Sequence, residues 1–85
     1  MPDEIPQLDA IGLACPLPVL RARKRLAAMR PGERLAVLAS DPMAAIDIPH
    51  LCHQDGHVLL ERSDSEVNGL RILRFVVERG PNRVA

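Results

Sequence analysis

Cys15 is the residue of this 85-residue chain that is best placed to do chemistry. It follows Gly12 closely and directly precedes Pro16, with Pro18 two residues further on. Proline is favoured at the first position of a helix, where its missing N–H would have no helical partner anyway. Cys15 is therefore predicted to be the N-cap of a helix, exposed near the surface. The helix dipole favours a thiolate, the form that attacks electrophiles, accepts sulfur or binds metal.

The degree of activation expected for Cys15 is moderate, because the two prolines also remove backbone donors that could hold a thiolate. We expect a pKa modestly below the ordinary value of about 8.5. The alternative is a small buried hydrophobic residue, the commonest fate of a free cysteine. No general base is predicted beside Cys15, since His50, His53 and His57 all lie in the second half of the chain. A cysteine without a base suits a group carrier better than a hydrolase.

The histidines and Cys52 raise the question of a metal site. His50, His53 and His57 recur at roughly helical spacing, but the Asp55-Gly56 pair is expected to end the helix before His57. The three imidazoles would then not share one face. Cys52 falls on the apolar side of the same helix, where a role in the core is expected. Neither a metal nor a cofactor is expected.

Basic residues follow Cys15 along the predicted first helix: Arg21, Arg23, Lys24, Arg25 and Arg30. Their simplest interpretation is the solvated face of an amphipathic helix. The alternative is a docking patch for an acidic partner, formed by Arg21, Lys24 and Arg25. Two aspartates later in the chain, Asp41 before Pro42 and Asp47 before Ile48-Pro49, are most simply helix caps. Asp47 could have a functional role only if the second helix brought it toward Cys15.

Composition excludes several classes of protein. Eleven basic and eleven acidic residues give zero formal net charge, and Phe75 is the single aromatic residue. Direct nucleic-acid binding is therefore not expected. The uncharged run 10–20 is too short to span a bilayer, and the acidic start Met1–Glu4 is unlike a secretory signal. Two cysteines 37 positions apart, with no Cys-x-x-Cys pair, favour free thiols in the cytoplasm.

Periodicity and turn residues predict six elements along the chain. In order, these are a strand at 7–9, a helix at 16–29, a buried strand at 34–40, a broken helix at 41–55 interrupted at 47–49, and strands at 57–63 and 70–78 joined by a polar loop at 64–69. Such an order in so short a chain predicts one domain with a two-layer α/β sandwich and both helices on one face of the sheet. The core is expected over residues 7–80, with 81–85 as a flexible tail.

The last strand should alternate between the two faces of the sheet. Leu73, Phe75 and Val77 would point to one face, and Ile72, Arg74 and Val76 to the other. The second set is mixed in polarity, which suits a partly exposed face or a partner contact.

The run from Leu8 to Pro18, with its Cys-Pro-Leu-Pro core, resembles the signature of the TusA-like (SirA-like) sulfur-carrier family. The resemblance continues through 29–33, Asp41-Pro42, Asp47-Ile48-Pro49 and Gly56-His57, and covers about residues 7–80. It implies a two-layer sandwich with a four-stranded mixed sheet, the layout expected above.

The resemblance also implies a function. Cys15 would carry sulfur as a persulfide, supported by Gly12, Pro16, Pro18 and Asp47, without a cofactor and as a carrier rather than a multiple-turnover enzyme. The donor would be a cysteine desulfurase or a rhodanese-type protein, and the acceptor a second protein. Known outlets are thiolation of tRNA, molybdenum-cofactor assembly and sulfur oxidation. The alternative is a regulatory or interaction module of the same fold, with Cys15 as a redox-sensing or structural residue.

Overall fold

The computed structural model of the chain describes residues 5–81. It contains six elements in the predicted order: β1 (Gln7–Ala10), α1 (Leu17–Ala27), β2 (Arg34–Ala39), α2 (Ala44–Asp55), β3 (Val58–Val67) and β4 (Leu70–Glu78). The four strands form one mixed sheet and the two helices pack on it, so the predicted α/β sandwich is confirmed.

The strands lie in the order β1-β2-β4-β3. β1 and β2 are parallel, with Ala10 opposite Ala39, whereas β4 is antiparallel to both β2 and β3. Because β1 and β2 run in the same direction, both end at the same edge of the sheet. The segments that follow them, 11–16 and 40–43, therefore meet there, and both helices begin beside this edge.

One hydrophobic core joins the helices to the sheet. The predicted inward set of β4 is confirmed, because Leu73, Phe75 and Val77 all belong to this core. Their partners from the other elements are Ala22, Leu26, Leu35, Val37, Ala39, Ala44, Ile48, Leu51 and Cys52. Burying a large aliphatic or aromatic side chain stabilises the fold by about 1.5–3 kcal/mol. The opposite face of the sheet is mixed, as expected, with Val76 buried and Arg74 half-buried.

The predicted break in the second helix is wrong. α2 is continuous from Ala44 to Asp55 although Pro49 lies inside it. Proline in a helix interior removes one hydrogen bond, but Ile48 and Leu51 on either side of it are almost fully buried. Packing of this apolar face against the sheet outweighs the lost bond. The helix ends at Gly56, whose φ of 76° is the left-handed value that favours glycine at this position.

The predicted loop at 64–69 is also wrong, except for its last two residues. β3 continues to Val67, and only Asn68 and Gly69 form the turn, with φ angles of 52° and 80°. Positive φ at both residues is characteristic of a type I′ turn, which continues the twist of the two strands. Residues 61–71 are all exposed, so this half of the hairpin extends beyond the core. Asp64 pairs there with Arg71 across the strands.

Burial and hydrogen bonds hold the C-terminal end of the described chain in place. Arg79 and Gly80 are buried, and the Arg79 side chain donates hydrogen bonds to the carbonyls of Leu26 and Gly80. The predicted flexible tail, apart from Pro81, lies outside the described residues. Over residues 5–81, no helix is long and apolar enough to cross a membrane.

Candidate functional site

Cys15 lies in the turn that connects β1 to α1. Gly12 begins this turn with a φ of 86°, a left-handed conformation that favours glycine. Its N–H donates to Ser40 Oγ at 2.9 Å, and the Leu13 N–H donates to the Ala10 carbonyl at 3.2 Å. A Cβ at position 12 would meet nothing within 4 Å, so the need for glycine comes from the backbone conformation alone.

Asp41 fixes the backbone of Cys15 from the neighbouring segment. Its Oδ2 accepts the Cys15 N–H at 2.7 Å, and its Oδ1 accepts the Met43 N–H at 2.9 Å. The bonds from Met43 and from Cys15 hold the pKa of Asp41 below its ordinary value. Sequence reasoning assigned Asp41 only to capping. Its contact with Cys15 spans 26 residues, and no local pattern in the sequence could have revealed it.

Asp47 lies beside the thiol itself. The second helix does bring it to Cys15, where the Sγ–H donates to Asp47 Oδ2 at 3.0 Å. A functional role for Asp47 required this proximity to Cys15, and the structure shows it. Like Cys15, it lies at the end of the sheet where both helices begin.

The expected lowering of the Cys15 pKa is wrong. The hydrogen bond to Asp47, then partial desolvation, then the charges of Asp47 and Asp41 raise its pKa above the ordinary value. A carboxylate that accepts the S–H bond stabilises the thiol and repels the thiolate. The helix dipole does not compensate, since Pro16 rather than Cys15 occupies the N-cap and α1 begins at Leu17. Cys15 itself is exposed.

A shallow cleft of about 190 Å³ opens beside the thiol, between α1 and α2. We call it the Cys15 cleft; its lining includes Cys15, Asp47, His50, Arg23 and Gln54. Arg23 donates to Asp55 Oδ2 at 2.9 Å and to Gln54 Oε1 at 3.1 Å, which ties the two helices together. Sequence reasoning placed no histidine near Cys15, whereas His50 shares this cleft.

Large apolar side chains remain exposed on the segments around Cys15. We call them the apolar collar: Ile11, Leu17, Leu20, Met43 and Ile46. Ile46, next to Asp47, is the most exposed of them at 63%. Grouped exposed hydrophobic residues indicate an interaction surface. Sequence reasoning did not single out these residues, because exposure depends on which helix faces pack inward.

The basic residues of α1 divide into two groups. Arg23 faces α2, whereas Arg21, Lys24 and Arg25 line a groove beside Leu8 of β1. We call the last three the basic row. Within residues 5–81 they make no ion pair. The structure therefore places the basic row along α1 next to the edge strand, and not inside the Cys15 cleft.

The remaining candidates lie away from Cys15. Cys52 is only 3% exposed, and burial followed by the charge of Asp55 raises its pKa to about 11. His57 is buried, and its Nδ1 accepts the Gly80 N–H at 3.0 Å. Its pKa is lowered, chiefly by burial. In the part of the chain that the structure describes, no three His, Cys, Asp or Glu side chains are grouped to hold a metal ion.

Fold and site together define a class of protein: a small α/β sandwich that presents one exposed thiol, next to carboxylates, where two helices begin. The profile of the sulfurtransferase TusA family matches residues 6–79. The chain belongs to the TusA sulfurtransferase family, as the resemblance of its Cys-Pro-Leu-Pro run implied.

Individual relatives agree with this assignment. Two proteins from Neisseria meningitidis, of serogroups A and B, are each 52% identical over 59 residues, which is 69% of this chain and 80% of theirs. Both are described as candidate sulfur carrier proteins. The crystal structure of a SirA-like protein from Desulfitobacterium hafniense superposes with a TM-score of 0.65 at 26% identity. That alignment covers 86% of this chain and 96% of the other.

Proposed function

We propose that this protein is a sulfur carrier that accepts sulfane sulfur as a persulfide on Cys15 and passes it to an acceptor protein. The observation that supports this most strongly is the exposed, free thiol of Cys15, whose backbone is fixed by Asp41. The sulfur-carrier descriptions of the relatives from Neisseria meningitidis support it further.

The transfer step needs no reagent beyond the donor. The Cys15 thiol gives up its proton, and the resulting thiolate attacks the terminal sulfur of a donor persulfide. The sulfur–sulfur bond of the donor breaks, its electron pair leaves with the donor thiolate, and that thiolate takes up a proton. A new sulfur–sulfur bond then joins Cys15 to the transferred atom, and the same exchange in reverse loads the acceptor.

The surroundings of Cys15 suit direct docking between proteins. The apolar collar provides a surface for partner contact around the thiol, and the basic row extends it along α1 toward an acidic partner surface. We propose a cysteine desulfurase or a rhodanese-type protein as donor. The proposed outlets are thiolation of tRNA, molybdenum-cofactor assembly or sulfur oxidation, with the carrier binding proteins rather than nucleic acid.

The proposal also covers location and supporting residues. Free Cys15 and Cys52 suit the cytoplasm, where thiols stay reduced. Gly12 supplies the left-handed turn before Cys15, and Pro16 is the N-cap residue of α1. Pro18 is buried in the first turn of α1. We propose that these residues keep the thiol in one position, within a single carrier domain over residues 7–80.

A redox-sensing or structural role for Cys15 has less support. Cysteines that sense oxidants have a lowered pKa and react directly with small oxidants as thiolates, whereas the pKa of Cys15 is raised. A structural cysteine would be buried, as Cys52 is, and Cys15 is exposed.

Incubation with a cysteine desulfurase and cysteine, followed by intact-mass measurement, tests the proposal. The wild type should gain the mass of sulfur, and Cys15→Ser should gain none while keeping its far-UV circular dichroism spectrum. Cys52→Ala is the matched control, because it removes the other thiol, and it should load like the wild type. Absence of added sulfur on the wild type while the desulfurase turns over would rule out the carrier function.

A further inference from the structure

Asp47 and Cys15 are both held in place before any partner arrives. Cys15 is fixed through its backbone N–H by Asp41. Asp47 lies in the first turn of α2, whose position is set by the buried neighbours Ala44 and Ile48. The 3.0 Å bond from Sγ to Asp47 Oδ2 joins positions 32 residues apart in sequence. It is therefore a tertiary contact of the folded protein and not a contact within one loop.

The charges around the thiol are unbalanced. Asp41 and Asp47 both lie against Cys15, and His50 and Arg23 line the same cleft. Arg23 is already engaged by Asp55 and Gln54. Among residues 5–81, Asp47 has no ion-pair partner, and its side chain bonds to the thiol alone. A half-buried carboxylate that forms no ion pair favours the approach of a positive charge.

We propose, on the basis of the sulfur-carrier function proposed above, that Asp47 keeps Cys15 protonated in the free protein and selects donors that bring a positive charge to the thiol. The carboxylate does this through its bond to Sγ–H and through its charge, both of which disfavour the thiolate. An arginine or lysine side chain placed against Asp47 by a docked partner removes that effect. The proton of Cys15 then leaves to water, and the thiolate attacks the donor sulfur.

The two charged regions of the surface describe the partner more fully. The carboxylates beside Cys15 favour a cation at the reacting sulfur, whereas the basic row favours acidic groups further along α1. The exposed side chains of the apolar collar lie on the two segments that meet at the thiol. The partner is therefore a protein with a cationic side chain beside its persulfide and an acidic surface next to it. In the free carrier, the thiol stays in its less reactive form until such a protein docks.

Thiol reactivity tests the proposal without any sulfur donor. The rate of alkylation of Cys15 by iodoacetamide is measured against pH for the wild type, Asp47→Asn and Glu66→Gln. Glu66→Gln is the matched control, because it makes the same carboxylate-to-amide change at an exposed position of β3 that forms no ion pair among residues 5–81. Asp47→Asn should react faster near neutral pH, with its midpoint moved to lower pH. Each unit of that movement gives about tenfold more thiolate, a gain that the lower nucleophilicity of a less basic thiolate offsets in part. The control should follow the wild type.

The preference of Cys15 for a positively charged donor is tested with two methanethiosulfonate reagents, one carrying a trimethylammonium group and one a sulfonate. The Cys15 thiolate attacks the reagent sulfur, a disulfide forms and methanesulfinate leaves. The wild type and Glu66→Gln should prefer the cationic reagent several-fold, and Asp47→Asn should lose most of that preference. If Asp47→Asn fails to fold, judged by circular dichroism, Asp47→Ser replaces it in both measurements.

Equal pH midpoints and equal charge preference in the wild type and the Asp47 variant would overturn the proposal. Persulfide loading is a separate result. Failure of loading with these reactivity differences intact would reject the carrier function, whereas normal loading without them would reject only the role of Asp47.

Discussion

At the residue scale, the chemistry of Cys15 depends on which charge lies closest to its sulfur. The dipole of a helix acts mainly within the first turn, and Cys15 lies before that turn, which begins at Leu17. The Asp47 carboxylate bonds to the sulfur directly at 3.0 Å. The near carboxylate therefore outweighs the dipole. Position beside a helix start is in this case not sufficient to activate a thiol.

A second titratable residue, His57, links stability to pH. Its Nδ1 must be unprotonated to accept the Gly80 N–H, and burial lowers its pKa below the ordinary value of about 6.5. The unfolded chain thus takes up a proton at a higher pH than the folded protein. The contribution of His57 is complete above pH 6.5 and is lost as the pH falls through its lowered folded value.

We therefore predict that the free energy of unfolding falls as the pH is lowered from 7 to 5, measured by urea titration followed by circular dichroism. His57→Gln should reduce this dependence, because its side chain does not titrate. His53→Gln is the matched control at an exposed position and should keep the wild-type dependence. An unchanged slope in His57→Gln would show that other groups cause the pH effect.

At the scale of elements, the residues that directly follow α2 and β4 pack against each other through their backbones. A Cβ placed on Gly80 would lie 1.7 Å from the carbonyl oxygen of Gly56, which ends α2. Glycine at position 80 is thus required by close approach. Gly69 in the hairpin turn differs, since a Cβ there meets nothing within 4 Å and only its φ of 80° disfavours alanine.

The substitution Gly80→Ala should therefore lower the free energy of unfolding by about 3 kcal/mol or more, because backbone must move to remove the overlap. Gly69→Ala is the control and should cost about 1–2 kcal/mol, the penalty for a left-handed alanine. Chemical denaturation of both variants checks the order. Equal losses would contradict the close approach of α2 and β4.

At the element scale, sequence patterns predict the order of helices and strands but not every boundary between them. Short apolar runs and turn residues were sufficient to predict all six elements and the inward face of β4. The predicted break at Pro49 and the predicted loop at 64–69 were wrong. Local sequence signals take no account of the burial of Ile48 or of the pairing of Asp64 within the sheet. Cys15 as the candidate site residue follows from its motif, whereas its contacts with Asp41 and Asp47 depend on tertiary packing.

At the scale of the whole molecule, exposed apolar side chains and basic residues lie on the segments that adjoin Cys15. The apolar collar lies on the two segments that meet at Cys15, and the basic row continues along α1 beside the edge strand β1. The fold thus joins a reactive atom, an apolar surface and a charged region on adjoining segments. A carrier that must meet two different proteins would use the surface around its thiol for both, one partner at a time.

The double variant Arg21→Glu, Lys24→Glu tests this arrangement. It should slow sulfur loading from a protein donor several-fold, since the acidic partner surface would be repelled. Alkylation of Cys15 by iodoacetamide should stay near the wild-type rate. Arg30→Glu, beyond the end of α1, is the charge control and should load normally. A double variant that loads at the wild-type rate at low salt would remove the basic row from the docking surface.

Cyanolysis after loading tests the central claim most directly. Cyanide removes the outer sulfur of a persulfide as thiocyanate and leaves the cysteine thiolate behind. The protein is loaded with a desulfurase and cysteine, separated from both, and treated with cyanide. We predict about one equivalent of thiocyanate from the wild type and from Cys52→Ala, and none from Cys15→Ser. Thiocyanate from Cys15→Ser at the wild-type level, or none from the wild type, would contradict a persulfide on Cys15.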